Sequence, residues 1–64
     1  DQMIFFVDRY IEVVFGNGYF RHYLYTYHSA GANNVERMKQ LASQGDGLNS
    51  YIMRYCRNSY ANRW

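Results

Sequence analysis

The run IFFVDRYIEVVFGNGYFRHYLYTYH, Ile4 to His28, decides the fold of this 64-residue chain, and it supports two readings. Ile4, Val7, Ile11 and Val14 recur at helical spacing, with Asp8, Arg9 and Glu12 on the other side. That spacing predicts a helix from about Met3 to Phe15, closed by Gly16 as C-cap. A second helical segment, Tyr19 to His28, would carry Phe20, Tyr23, Leu24 and Tyr27 on one face. Met3, Phe6, Tyr10 and Val13 are apolar too, so the first helix would be covered on most of its circumference. The rival is a β-hairpin. Gly16-Asn17-Gly18 sets Asn-Gly between two stretches rich in Val, Phe and Tyr, which is a hairpin signal. Tyr19, Tyr23, Tyr25 and Tyr27 also fit a period of two, with Arg21 interposed. Periodicity alone favours the helix over residues 4–28.

The second half reads as helix. Asn33 is a candidate N-cap with Glu36 three residues on, resembling a capping box, and Val35, Met38, Leu41 and Ala42 form its inner face. From about Leu48 to Asn62, Leu48, Tyr51, Ile52, Tyr55, Cys56 and Ser59 fall on one face, the clearest period in the chain. The expected fold is therefore all-α, with about four short helices and a β-hairpin in residues 4–28 as the alternative. Residues 1–64 make a single small domain.

A domain of this length buries only about 60% of the surface its unfolded chain exposes. It usually needs a disulfide, a metal or a partner. The lone Cys56 allows no internal disulfide, which points to a reducing compartment. Aromatic residues make up 20% of the chain, too many for a disordered tail and more than so small a core encloses. Some rings must lie near the surface, where Tyr and Trp serve as contact residues. Residues 33–64 carry Arg37, Lys39, Arg54, Arg57 and Arg63 against Glu36 and Asp46 alone. That half suits an acidic protein, a nucleic acid or an anionic surface. No apolar run approaches the length of a membrane span, and Ile4 to Val7 is too short for a signal-peptide core. Asp1 is not a methionine, so processing, or excision from something longer, is expected.

Catalysis and metal binding find little support. His22 and His28, six apart, would not share a helix face, and a zinc site needs about four ligands at closer pairings. Cys56 reads as a packing residue without an orienting group for a nucleophile. The acidic residues are dispersed, and the glycines match no phosphate loop. The chain is read as non-enzymatic. Arg54, Arg57 and Arg63, interleaved with Tyr51, Tyr55, Tyr60 and Trp64, are the candidate partner-binding residues. Basic and aromatic groups together also suit nucleic acid, so a small basic helical module binding nucleic acid is the alternative function.

Val14-Phe15-Gly16-Asn17 resembles the Val-Phe-Gly-Asn that closes the first helix of phycobilisome linker domains. Glu36-Arg37 and Gly45-Asp46 resemble the Glu-Arg and Gly-Asp landmarks of that family. The stretch Tyr51 to Trp64 is similar to its Phe-Val-Arg run, which leads through Lys-Ser and Tyr to an Arg-aromatic ending, given a one-residue deletion before Tyr60. The spacer between Asn17 and Glu36 is longer than the family's, and the second half of the usual domain is missing. The resemblance implies a truncated or divergent linker, or a fragment of a longer one, seated inside ring-shaped phycobiliprotein hexamers. Such linkers join the discs of a light-harvesting antenna on the stromal or cytoplasmic face of the thylakoid membrane of a chloroplast or cyanobacterium. It implies no cofactor of the chain's own, the bilins being carried by partner subunits, with Cys56 the only residue at which a bilin could be attached. Acidic phycobiliproteins would complement the basic half of the chain.

Overall fold

A computed structural model describes residues 2–64; Asp1 lies outside the described residues. The N-terminal third is rich in β-branched and aromatic residues, which fit a pleated, half-buried surface, and it forms three strands. These are β1 (Gln2–Val7), β2 (Tyr10–Phe15) and β3 (His22–Thr26). β1 and β2 pair antiparallel with Val7 opposite Tyr10, so the chain reverses at Asp8-Arg9. β2 and β3 pair antiparallel with Val14 opposite His22, and Gly16-Asn17-Gly18 lies in the loop between them. Gly18 adopts φ +112°, a conformation that side chains resist.

Three helices follow, α1 (Tyr27–Ala30), α2 (Ala32–Gln44) and α3 (Leu48–Tyr55). Thr26 caps α1 in a reciprocal box, its hydroxyl accepting from the Ser29 amide while the Ser29 hydroxyl accepts from the Thr26 amide. Gly45 ends α2 in the left-handed region and accounts for two of its last carbonyls, donating toward Ala42 and Leu41. After α3 the chain returns as β4 (Asn62–Arg63) beside β3, giving a sheet of order β1-β2-β3-β4.

The helices cover one face of this sheet. Ile11, Val13 and Tyr25 from the strands meet Val35 and Met38 of α2, Leu48 and Ile52 of α3, and Cys56. Lys39 of α2 fastens the β1–β2 turn, its Nζ donating to the Asp8 carbonyl at 2.8 Å. Strand alternation puts the neighbours of the buried residues on the opposite face, which no element covers.

The all-α expectation is thus overturned: the molecule is a small α/β domain with a four-stranded antiparallel sheet and three helices. Neither Met3 to Phe15 nor Tyr19 to His28 is helical apart from Tyr27 and His28, the start of α1. The cause is legible in the pleat. β1 is apolar on both faces and β2 interrupts its outer face only with Glu12, so the period of two was masked and the spacing of Ile4, Val7, Ile11 and Val14 imitated a helix. Of those four, only Ile11 is fully buried, while Val7 is 57% exposed. The hairpin alternative places the loop at Gly16-Asn17-Gly18 correctly but lacks the reversal at Asp8-Arg9 and the added strand β4.

Two helix boundaries also move. α2 starts at Ala32 with Gly31 as N-cap, so Asn33 lies inside the helix, and the capping box belongs to Thr26 and Ser29. The last helix stops at Tyr55 rather than Asn62. Cys56 there leaves helical geometry at ψ 19°, and its amide closes the final turn on the Ile52 carbonyl. The remaining residues return to the sheet, where the Ala61 amide bonds Leu24 and the Trp64 amide bonds His22.

Candidate functional site

The residues expected to form one contact surface are divided among three places. Arg57, Tyr60 and Arg63 line a cleft between the β2–β3 loop, the end of α3 and the returning segment. Tyr51, Arg54 and Tyr55 lie along α3, away from that cleft. Trp64 lies on the uncovered sheet face, stacked on His22 at 5.0 Å with the rings 7° from parallel.

On α3, Tyr51 is engaged internally. Its hydroxyl donates to Asn34 Oδ1 at 2.6 Å, and Asn34 in turn holds the Ala30 carbonyl, so Tyr51 braces α3 against α2. Tyr55 leans on Tyr51 at 4.8 Å between ring centroids, and the Arg54 guanidinium sits 5.5 Å from the Tyr55 ring. Tyr55 is exposed, although its sequence period placed it on the buried face. The inward stripe of α3 runs through Leu48, Ile52 and Cys56, spaced four apart, and Tyr55 lies to one side of it.

The uncovered face carries Met3, Phe5 and Val7 of β1, Tyr10, Glu12 and Val14 of β2, and His22 and Leu24 of β3, with Trp64 beside them. Met3 is 59% exposed, Phe5 49% and Val7 57%, one apolar row along β1 on this face. Among the described residues the only carboxylate side chain there, Glu12, is held by His22, with 2.8 Å between Oε2 and Nδ1. No lysine or arginine belongs to β1, β2 or the inner half of β3 on this face. β1 also leaves one edge unpaired, and its sequence Gln-Met-Ile-Phe-Phe-Val contains neither charge nor proline. Such an edge is a template for another strand.

No known protein family, characterised protein or solved structure matches this chain. Its own geometry is therefore what bears on function. The landmark Val14-Phe15-Gly16-Asn17 closes a strand here, not a helix.

The groups considered for catalysis lie apart. Cys56 is buried on the helical side of the sheet, and burial pushes its thiol above the usual range. His22 is on the opposite face, and His28 is exposed on α1. Among the described residues no three His, Cys, Asp or Glu side chains gather at metal-binding distance. Glu36 is engaged at the surface, where the Tyr27 hydroxyl and then Lys39 hold its carboxyl below the usual carboxylate range. No helix of the described residues is long and apolar enough to cross a membrane.

Two features escaped the sequence reading. Phe15, Phe20 and Tyr25 join the cleft residues from distant positions, which no local spacing signals. The uncovered apolar face did have a signal: six consecutive uncharged residues, Gln2 to Val7, too short for a spanning segment and without alternation.

Proposed function

We propose that the chain is a non-catalytic scaffold module that docks its uncovered sheet face, with the free edge of β1, on a larger protein. The observation that carries the reading is the exposure of Met3, Phe5, Val7 and Tyr10 on one sheet face beside an unpaired, uncharged strand edge. A patch of this kind is costly to leave in water and marks an interaction surface. Strand addition at β1 supplies main-chain hydrogen bonds, and the alternate side chains Met3, Phe5 and Val7 supply apolar contact.

The larger protein we name is an acidic, ring-shaped phycobiliprotein, the partner implied by the sequence resemblance. A module enclosed by a ring is touched on both sides. Its apolar sheet face would then meet one wall, while Arg37 and Arg54 on the helical side meet acidic groups of another. Nucleic acid is the less favoured partner, because strands β1, β2 and β3 of the exposed sheet face carry no arginine or lysine to meet phosphates.

Sedimentation of the chain with a purified phycobiliprotein hexamer tests this. The wild type should co-sediment, and Phe5→Glu, at an exposed position with no core contact, should not. Failure of the wild type to co-sediment overturns the antenna reading. Unimpaired binding by Phe5→Glu overturns docking through the sheet face.

A further inference from the structure

The cleft on the other side of the molecule has features that the scaffold reading does not use. Its volume is about 460 Å³, within the range of small-molecule sites. Its walls are rings. Phe15 meets Tyr23 edge-on at 5.6 Å, and Tyr23 meets Tyr60 edge-on at 5.5 Å. Tyr25 lies at its buried base, where burial above all raises the hydroxyl to about 12, so it stays a neutral donor at physiological pH.

The rim is cationic. Arg63 packs on two rings, its guanidinium carbon 4.1 Å from the Phe20 centroid and 5.0 Å from that of Tyr60. Cation–π contact of this kind restrains the guanidinium while its N–H groups can still donate. Arg57 lines the same cleft, and no carboxylate does. Neither arginine is ion-paired with a described carboxylate; the three ion pairs involve Arg9, His22 and Lys39. A cleft lined by one sign of charge with low-dielectric walls concentrates anions.

We propose that this cleft binds a small aromatic anion, its ring against Tyr23 and Tyr60 and its charged group on Arg57 and Arg63. The anion is a carboxylate or a phosphate, since a guanidinium fork fits both. The site is independent of the sheet face, which lies on the opposite side of the sheet, so either assignment can fail without the other.

Titration of the ¹⁵N-labelled chain with phenyl phosphate and with benzoate, followed by NMR, tests the assignment. Saturable shifts are expected at residues 15–25 and 52–63, with a Kd on the order of 1 mM or tighter for at least one probe. The tighter probe identifies the anion. Inorganic phosphate and benzyl alcohol, each holding half of the recognition, should bind at least about 10-fold more weakly, the scale of one lost charged hydrogen bond. Arg57→Gln, at an exposed position, should weaken the better probe by about 10-fold while the spectrum of the free chain keeps its dispersion. Arg63→Gln, checked the same way, is the second variant. No saturable shift with either probe overturns the proposal. So does equal binding of benzyl alcohol, or binding unchanged in both variants.

Discussion

Val13 and Val7 are the pair of positions at which a helix and the observed sheet make opposite demands. On a helical stripe Val7 belongs to the core and Val13 to its flank. In the structure Val13 is 0% exposed beneath the helices, and Val7 is 57% exposed on the uncovered face. Truncating Val13 to alanine removes two buried methyl groups, about 0.8 kcal/mol of transfer free energy each. The cavity left behind adds to this, so the expected loss is about 2 kcal/mol. A chain of this length has a total stability of roughly 3–10 kcal/mol, so the loss is a large fraction of it. Thermal unfolding followed by circular dichroism should show a drop of roughly 8–16 °C in Tm for Val13→Ala. Val7→Ala should stay within about 0.5 kcal/mol, or a few degrees. Both melts belong at micromolar concentration, because association through the sheet face would stabilise the wild type by mass action. A Val7→Ala loss equal to or larger than that of Val13→Ala would refute the two-faced reading of the sheet.

Tyr25 predicts an alkaline limit to stability. Its folded hydroxyl is raised to about 12 while an unfolded tyrosine loses its proton near the ordinary 10.0. The folded state binds the proton more tightly, so stability is intact below pH 10 and falls between pH 10 and 12, by at most about 1.4 kcal/mol per pH unit. Urea midpoints across that window check this, and Tyr25→Phe should flatten the dependence; an unchanged slope in that variant would show that Tyr25 is not its source. Cys56, fully buried and with its thiol raised by burial, should react with an aromatic disulfide reagent at least about 100-fold more slowly in the native chain than in denaturant. Fast native labelling would mean that the region where α3 meets the sheet opens readily.

The sequence by itself determined the inner faces of the second half and the glycines that bound its helices, but not the reversal at Asp8-Arg9 or the end of α3 at Tyr55. Gly31, Gly45 and Gly47 stand at helix ends, and all three have positive φ, which local chemistry favours for glycine. Val35, Met38, Leu48, Ile52 and Cys56 fell on the faces that their spacing indicates, because a helix burying one stripe keeps its period visible. Tertiary structure alone decided the rest. β1 is apolar on both faces and β2 carries Glu12 alone on its outer one, so nothing local separates strand from helix. Only pairing across Asp8-Arg9, and of Val14 with His22, fixes which residues face the helices. The cleft is likewise non-local: Phe20, Tyr25 and Arg63 meet because β4 returns to β3, and long-range closure leaves no spacing in the chain to be read.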